Sequence, residues 1–291
     1  MFVDYLKLMR IPHWIKNLFI FVPLVFSMNF LAVPLILRSL YTFAAFCLVS
    51  SSVYILNDLI DRDKDKLHPL KKHRPLASGK VSPALSIALA ALLFLGGLAV
   101  TIFINLNTVL AFSGYFAVTL LYSLALKNQV ILDVFLIAFG FVLRVIAGAA
   151  AIDVAVSNWL FLTTLFISLF IGYGKRRHEL VILEESSHKH RPVLKDYNVR
   201  LLDYMIVIAV TLTIITFSLY VIDPDTIQRF GTRSLLYTLP FVLYGMFRYM
   251  YDIYGKGEGG DPADIVIRDK HILIDVALCG ILILVILYFK L

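Results

Sequence analysis

Four oxygen-bearing side chains follow one another at helical spacing at the end of an apolar segment that is long enough to cross a bilayer. They are Asn57, Asp58, Asp61 and Asp65. Because four residues advance an α-helix by about 400°, Asn57, Asp61 and Asp65 are predicted to share one stripe, with Asp58 beside it. Mg²⁺ in proteins usually combines a few carboxylates with substrate phosphates. We therefore predict that these four residues hold Mg²⁺ and, through it, a diphosphate, and that the three aspartates are catalytic.

The acidic run also has a simpler interpretation, as a solvated helix end whose aspartates pair with the nearby Arg62, Lys64 and Lys66. The residues that follow favour the phosphate site. Residues 68–75 place basic side chains between prolines, and from this loop Lys71 and Arg74 are expected to reach phosphate oxygens. An acidic run followed directly by a basic loop is the arrangement expected for Mg²⁺ with a bound phosphate.

The elements that carry these residues are predicted to be membrane helices. The chain is 60% hydrophobic and only 16% charged, so most of it is expected to lie in lipid. Strand-like alternation is absent, which leaves helices to satisfy the backbone. We predict an all-α integral membrane protein with about nine transmembrane helices. The predicted spans are residues 18–37, 39–56, 82–106, 108–126, 130–152, 157–174, 204–222, 234–251 and 271–289.

Positive charge predicts the orientation of these helices. Most Lys and Arg residues fall on one side of the predicted topology, which places the N-terminus and the active site in the cytoplasm and the protein in the plasma (inner) membrane. We expect one transmembrane domain, residues 1–291, with cytoplasmic loops 57–81, 175–203 and 252–270. The net charge of +7 suits anionic lipid or a phosphorylated substrate. Nucleic acid is excluded as a partner because no soluble binding module is present.

The motifs resemble those of the UbiA prenyltransferase superfamily. Asn57-Asp58, Asp61 and Asp65 match its first aspartate-rich motif, and residues 74–79 match the segment that follows. Tyr122 and Lys127, after the fourth predicted span, also match and are expected to bind substrate. The resemblance implies nine helices around a central cavity.

The sixth predicted helix departs from the commonest members, which carry a second Asp-x-x-x-Asp motif there. This chain has Lys175, Arg176 and Arg177 at that place and keeps one carboxylate, Glu179. We interpret the exchange of acids for cations as a site for a donor with an extra phosphate, bound by Lys175 and Arg176, with Glu179 among the substrate-binding residues. The alternative is that these cations simply end a span on the positive side of the membrane.

This departure resembles one branch of the superfamily, the decaprenyl-phosphate phosphoribosyltransferases, or 5-phosphoribose synthases. Further patches agree with that branch: residues 10–17, residues 141–144 with Gly148, and residues 257–260 with Arg268-Asp269. The resemblance implies transfer of a 5-phosphoribosyl group from phosphoribosyl diphosphate to a polyprenyl (decaprenyl-type) phosphate, with Mg²⁺ and release of diphosphate, in cell-envelope precursor synthesis.

Three further residues are secondary candidates. Lys16 and Asn17 are expected to touch a phosphate at the entrance of the first helix, although Lys16 also fits an interfacial lysine beside Trp14. Arg144 lies inside a predicted span with no acid within four residues on its own helix, so its partner must come from another helix or from a ligand. Both substrate binding and a structural pairing are open for Arg144.

Two other functions compete with phosphoribosyl transfer. The first is transfer of an isoprenyl group to an aromatic acceptor, which would share the fold and the first metal site but is disfavoured by Lys175 and Arg176. The second is a transporter of anionic lipids, which the lack of an evident inverted repeat disfavours. A homo-oligomer in the membrane is compatible with any of the three.

Overall fold

The computed structural model describes residues 2–67, 71–182, 192–256, 265 and 268–290. Within these residues the chain is helical and contains no β-strand, which confirms the predicted all-α class. Parts of each of the three predicted loops lie outside the described residues. Two compact units, Met1–Ala155 and Val156–Leu291, make up the structure.

The described residues of the first unit form seven α-helices and three 3₁₀ helices. The α-helices are α1 (Phe2–Met9), α2 (Val22–Phe26), α3 (Val33–Ile60), α4 (Arg62–Leu67), α5 (Pro83–Ile102), α6 (Leu106–Leu124) and α7 (Leu132–Ala151). The 3₁₀ helices are Ile11–Phe21, Lys71–His73 and Leu126–Asn128. Ile11–Phe21 is called the N-terminal 3₁₀ segment below.

The described part of the second unit contains five α-helices and two short 3₁₀ helices. Its α-helices are α8 (Asn158–Ile182), α9 (Val199–Ile222), α10 (Pro224–Phe230), α11 (Leu239–Tyr254) and α12 (Lys270–Phe289). Its 3₁₀ helices are Pro192–Asp196 and Ser234–Thr238. Side-chain caps start two of the long helices: Asn198 accepts a hydrogen bond from the backbone N–H of Leu201, and Asp269 accepts from His271 and Ile272.

Seven helical segments in the described part of the chain are long and apolar enough to cross a bilayer. They are Val3–Phe26, Val33–Ile60, Pro83–Ile102, Leu106–Leu124, Leu132–Ala151, Val199–Ile222 and Lys270–Phe289. The predicted number of nine is not confirmed. Helix α8 has polar residues at its start and cations at its end, and α11 has 16 residues, fewer than the roughly 20 that a bilayer requires.

The boundary between the first two predicted spans was wrong. The predicted spans 18–37 and 39–56 meet near residue 38, whereas the chain breaks between α2 and α3, at residues 27–32. Met28 in this break has φ of 59°. Hydropathy does not detect such a break, because the turn residues include Met28, Phe30 and Leu31.

Helix α8 also differs from its predicted span. It continues from Asn158 to Ile182, well past the predicted end at residue 174. Lys175, Arg176 and Glu179 therefore lie on a helix and not in a loop. Charged side chains end an apolar stretch, but they do not end a helix, because Lys, Arg and Glu all have high helix propensity.

Two features of the first unit fix the segments that carry its charged residues. A Cβ added to Gly148 in α7 would lie 2.0 Å from the carbonyl oxygen of Ile20, so the N-terminal 3₁₀ segment packs directly on the α7 backbone. Leu76 is fully buried in a core with Leu8 and Ile55, which anchors the chain just after Arg74. Burial of a leucine side chain contributes about 1.5–3 kcal/mol.

Candidate active site at the end of helix α3

The predicted acidic stripe is present. Helix α3 ends at Ile60 and α4 begins at Arg62, yet the i to i+4 hydrogen bonds continue across the boundary. The backbone N–H of Asp61 donates to Asn57 O at 2.9 Å, and the N–H of Asp65 donates to Asp61 O at 2.8 Å. The stripe therefore stays in register although the helix is interrupted at Asp61.

Arg74 connects two carboxylates of this stripe. Its Nη1 atom lies 3.0 Å from Asp58 Oδ1 and 2.7 Å from Asp65 Oδ2. The 3₁₀ turn beginning at Lys71 positions Arg74, whose backbone N–H donates to Lys71 O at 2.9 Å. Asp58 and Asp65 thus converge on a single positively charged nitrogen.

Arg10 also binds this cluster, and sequence reasoning missed it. Its Nη2 donates to Asp58 Oδ1, the same oxygen that accepts from Arg74. The Arg10 guanidinium lies 5.1 Å from the centre of the Tyr54 ring, and its backbone has φ of 52°. A basic residue just before Pro12 is visible in the sequence, but nothing local indicates a partner 48 residues away.

Lys127 completes the set of cations. Its Nζ lies 2.6 Å from Asp61 Oδ1. Three carboxylates from the end of α3 and from α4 are therefore matched by three cations from separate elements: Arg10 after α1, Arg74 before α5, and Lys127 after α6. The placement of Arg74 and Lys127 against the acidic run agrees with their prediction as site residues.

The simpler interpretation, in which the aspartates pair with their sequence neighbours, fits Asp63. Lys66 Nζ lies 2.7 Å from Asp63 Oδ1, and this hydrogen bond lowers the pKa of the exposed Asp63 carboxyl below its ordinary value. Asp58, Asp61 and Asp65 instead bind the distant cations. The acidic run is therefore a tertiary site with one ordinary surface pair beside it.

The remaining predicted residues of this unit lie around the cluster. Asn57 precedes Asp58 on α3 and is half-buried, as are Lys71 in its 3₁₀ turn and Tyr122 near the end of α6. Tyr122 is five residues before Lys127, near the end of the helix that precedes this lysine. Substrate binding by Asn57, Lys71 and Tyr122 stays a prediction.

Arg144 takes its partners from other elements of the same unit. Its Nε donates to Asn17 Oδ1 at 2.7 Å, and its Nη2 donates to the Tyr115 hydroxyl at 2.8 Å. Its Nη1 donates to the carbonyl oxygen of Gly140 at 2.8 Å. Asn17 and Arg144, both expected to bind substrate, are thus buried and hydrogen-bonded to one another.

This pairing gives Asn17 a role in positioning its neighbours. Asn17 is fully buried, while Lys16 beside it is half-buried on the same 3₁₀ segment. Because Asn17 is fixed by Arg144 and also donates to Ser50 Oγ at 3.3 Å, the segment cannot rotate freely. The predicted phosphate contact of Lys16 depends on this anchoring and stays a prediction.

Two arginines of helix α8 are also paired. Arg176 Nη1 lies 2.7 Å from Glu179 Oε2, and Arg176 is almost completely buried. Arg177 Nε lies 2.6 Å from Asp203 Oδ1, and its guanidinium lies 4.5 Å from the centre of the Tyr254 ring. Arg177 therefore ties α8 to α9 and α11. Lys175 lies on the same turn of α8, and phosphate binding by Lys175, Arg176 and Glu179 stays a prediction.

A second charged cluster in this unit was not predicted. Asp269 Oδ2 accepts from Arg248 Nη2 at 2.8 Å and from Lys256 Nζ at 2.8 Å. Lys256 Nζ also lies 2.7 Å from Asp252 Oδ1 on α11. The hydrogen bond from Arg248 holds the pKa of Asp269 well below its ordinary range, with Lys256 and the α12 N–H groups assisting. This cluster joins the end of α11 to the start of α12.

The acidic run has the donor chemistry that Mg²⁺ requires, since its carboxylates and the Asn57 amide all offer oxygen. Among the described residues, however, no group of three His, Cys, Asp or Glu side chains is close enough to hold a metal ion. Asp58 and Asp65 already converge on the Arg74 nitrogen. Metal binding by these residues stays a prediction, and it would require Arg10 and Arg74 to release the carboxylates.

The fold and this site together define a polytopic helical membrane protein with an acidic site at a helix end. A family model described as the UbiA prenyltransferase family matches residues 18–261. The chain belongs to the UbiA prenyltransferase family and is an enzyme of that family.

Individual relatives agree with this assignment. A decaprenyl-phosphate phosphoribosyltransferase from Mycolicibacterium smegmatis is 31% identical over 276 residues, which cover 91% of this chain and 86% of the relative. The protein of the same name from Mycobacterium tuberculosis is 30% identical over 268 residues, 91% of this chain and 87% of the relative. A solved UbiA homologue from Archaeoglobus fulgidus bound to DMAPP and Mg²⁺ has a TM-score of 0.72 at 17% identity, covering 98% of this chain and 99% of that one. At that identity the solved structure supports the fold.

Proposed function

We propose that this enzyme transfers a 5-phosphoribosyl group from phosphoribosyl diphosphate to a polyprenyl phosphate and releases diphosphate. The similarity to two decaprenyl-phosphate phosphoribosyltransferases over nine-tenths of the chain supports this choice within the family. The observation that carries it is the replacement of a second acidic motif by Lys175 and Arg176, since a donor with a separate 5-phosphate needs cations in addition to its diphosphate site.

The acidic run supports the diphosphate part of the proposal. Bound Mg²⁺ would neutralise charge on the departing diphosphate. Arg74 and Lys127 lie within 3.0 Å of the carboxylates, so they are close enough to donate hydrogen bonds to a diphosphate that those carboxylates hold through the metal. Lys71, on the turn that positions Arg74, is proposed to add a further cation.

The acceptor requires little activation. A polyprenyl phosphate is already an anion, so the reaction needs no strong general base. The work of the protein is to hold the two phosphorylated substrates in line and to stabilise the charge that leaves. We place this reaction at the cytoplasmic face of the plasma membrane, where the positive charge of the chain is concentrated.

The donor that the enzyme consumes distinguishes phosphoribosyl transfer from isoprenyl transfer. Purified protein in detergent is given Mg²⁺ with radiolabelled phosphoribosyl diphosphate and a polyprenyl phosphate, or with radiolabelled farnesyl diphosphate and an aromatic acceptor. Consumption of phosphoribosyl diphosphate alone is expected. Consumption of farnesyl diphosphate alone would make the chain an ordinary isoprenyl transferase, and turnover of neither donor would leave the transporter as the better hypothesis.

The proposed 5-phosphate contacts have a separate test. Lys175→Ala and Arg176→Ala are each expected to raise KM for phosphoribosyl diphosphate by about tenfold or more, because each removes a charged hydrogen-bond donor. The matched control is Arg200→Ala, which removes an exposed cation that stacks on Tyr204 in the same unit. An unchanged KM in both variants would contradict the assignment of the 5-phosphate to these two residues.

A further inference from the structure

Each carboxylate of the acidic cluster at the end of α3 contacts a cation. Asp58 contacts Arg10 and Arg74, Asp65 contacts Arg74, and Asp61 contacts Lys127. A metal ion that approaches this cluster alone therefore has to compete with a bound cation for every carboxylate.

The cations lie on the outside of the cluster. The side chains of Asp58 and Asp65 are 3% and 6% exposed, whereas those of Arg10 and Arg74 are 22% and 28% exposed. A ligand from the water phase therefore meets the guanidinium groups first. For a metal ion to bind Asp58 or Asp65, these groups have to move, and they need a new anionic partner when they do.

The arginines can exchange the carboxylates for a new partner only when metal and diphosphate bind together. A divalent ion alone would leave the displaced arginines without their carboxylate partners. A diphosphate alone would compete with three carboxylates for the same cations. When both arrive together, the metal takes the carboxylates and the phosphate oxygens take the arginines, so every charge keeps a partner.

We propose that Arg10 and Arg74 bind diphosphate, and that Asp58 and Asp65 bind these arginines as long as no diphosphate is present. Metal and diphosphate therefore bind this site only together. The proposal rests on the proposed metal and diphosphate site, and it adds Arg10 to that site. It also gives the two arginines a second role, because they occupy the carboxylates and exclude a metal ion until the phosphate arrives.

The exchange predicts effects of opposite sign for the two ligands. In Arg10→Gln or Arg74→Gln, a carboxylate loses a competing cation, so the metal ion alone should bind more tightly. The diphosphate loses a charged donor, so it should bind more weakly even with metal present. An arginine that only binds phosphate would leave binding of the metal alone unchanged, and an arginine that only supports the fold would weaken both.

Two binding measurements on the full-length protein in detergent test this. Mn²⁺ stands in for Mg²⁺ and is titrated without diphosphate, the free ion being followed by electron paramagnetic resonance. Radiolabelled inorganic diphosphate is then bound to immobilised protein with Mg²⁺ or with a chelator. Arg62→Gln is the matched control, since Arg62 is on the same helix end but donates to the carbonyl oxygen of Leu76.

The wild-type protein should bind diphosphate at least about tenfold more tightly with Mg²⁺ than with chelator. Arg10→Gln and Arg74→Gln should each raise Mn²⁺ affinity by about threefold or more and lower diphosphate affinity by about tenfold. Arg62→Gln should match the wild type in both measurements. Equal diphosphate binding with chelator, or Mn²⁺ affinity that is unchanged, lower or undetectable in the two variants, would overturn the proposal.

Folding is checked by gel filtration and circular dichroism before either titration. Arg10→Gln carries the test if Arg74→Gln does not fold, because Asp58 keeps Arg74 as a partner when Arg10 is removed. Inorganic diphosphate is the group that phosphoribosyl and isoprenyl donors share. The result of the two binding measurements therefore does not depend on which donor the enzyme consumes.

Discussion

Asp58 holds the centre of the candidate active site through one oxygen atom. Oδ1 accepts hydrogen bonds from Arg10 and from Arg74, which come from segments before and after helix α3 in the sequence. The carboxylate is buried, so both bonds form where water competes poorly and charge-assisted hydrogen bonds are strong. A substitution at Asp58 removes a hydrogen-bond acceptor of both arginines, whereas a substitution at Asp61 removes an acceptor of Lys127.

Asp58→Asn should therefore reduce kcat/KM for the donor by at least about 100-fold. The substitution keeps the size of the side chain but removes the charge that the proposed metal binds and that orients two arginines. Diphosphate release by purified protein is the measurement, with a polyprenyl phosphate as acceptor.

The control for this variant is Asp63→Asn. Asp63 is exposed and pairs with Lys66, so its loss should change the rate by less than about twofold, as expected for a surface ion pair. If Asp58→Asn kept a rate near that of Asp63→Asn, the buried carboxylate would have no part in the reaction.

The residue-level prediction from sequence succeeded where helical periodicity applies. Asn57, Asp61 and Asp65 share a stripe because the spacing of four residues matches the helical turn. Arg74 lies only nine residues after Asp65, so the contact between them is close in the sequence. Arg10 was not predicted, because its contact with Asp58 depends on how α1 packs on α3. Arg144 was predicted to need a partner from another helix or from a ligand, and Asn17 and Tyr115 are such partners from other elements.

At the scale of elements, the N-terminal 3₁₀ segment is held against α7 by the absence of a side chain at Gly148. Gly148→Ala would place a Cβ 2.0 Å from Ile20 O, a contact that only a backbone shift can relieve. We expect a loss of about 1–3 kcal/mol in the free energy of unfolding, because over-packing forces the neighbouring backbone to move. Thermal unfolding in detergent measures it.

Gly114→Ala is the matched control in the same unit, since its Cβ would meet Leu143 Cδ2 at 3.8 Å, an ordinary contact. Gly148→Ala should also weaken diphosphate binding, because Asn17 lies on the displaced segment and Arg10 directly precedes it. Equal stability of the two variants would show that the segment can shift freely on α7.

The Asp269 cluster predicts how the stability of the second unit depends on pH. Arg248 and Lys256 lower the pKa of Asp269 in the folded protein, so the carboxylate stabilises the fold at any pH above its unfolded pKa of about 4. This stabilisation is lost as the pH falls from that value through the lower folded pKa. Thermal unfolding of wild type and Asp269→Asn between pH 3 and 7 measures the difference.

We expect the gap in melting temperature between the two proteins to be constant above about pH 5 and to shrink below about pH 4. The variant keeps an oxygen that can cap α12, so the shrinking part of the gap reports the two ion pairs. A gap that grew towards acid would contradict the assignment.

The elements themselves were only partly predictable from hydropathy. Long apolar stretches correctly indicated α5, α6, α7, α9 and α12, because a bilayer-spanning helix needs about 20 such residues. Apolarity does not show where a helix turns or how far it continues. The chain therefore breaks at residues 27–32 inside a predicted span, and α8 continues through the cations that were expected to begin a loop.

At the scale of the whole molecule, the concentration of Lys and Arg on one side of the predicted topology sets the expected orientation. Lys72 and Asp225 are both exposed, and they belong to segments on opposite sides of that topology. In intact cells, a maleimide that does not cross membranes should label Asp225→Cys but not Lys72→Cys. After the membrane is opened, it should label both.

The native Cys47 is buried and Cys279 is half-buried, so labelling of the wild type gives the background. Labelling of Lys72→Cys in intact cells would place the acidic site outside the cytoplasm and would separate it from a cytoplasmic supply of donor.

The lipid product tests the central claim most directly. Purified protein is incubated with Mg²⁺, phosphoribosyl diphosphate and a polyprenyl phosphate, and the extracted lipid is analysed by mass spectrometry beside a reaction of Asp58→Asn. We predict that the wild-type reaction yields the acceptor enlarged by one phosphoribosyl group and that the variant yields almost none. An unmodified lipid in the wild-type reaction, with the donor intact, would contradict phosphoribosyl transfer by this enzyme.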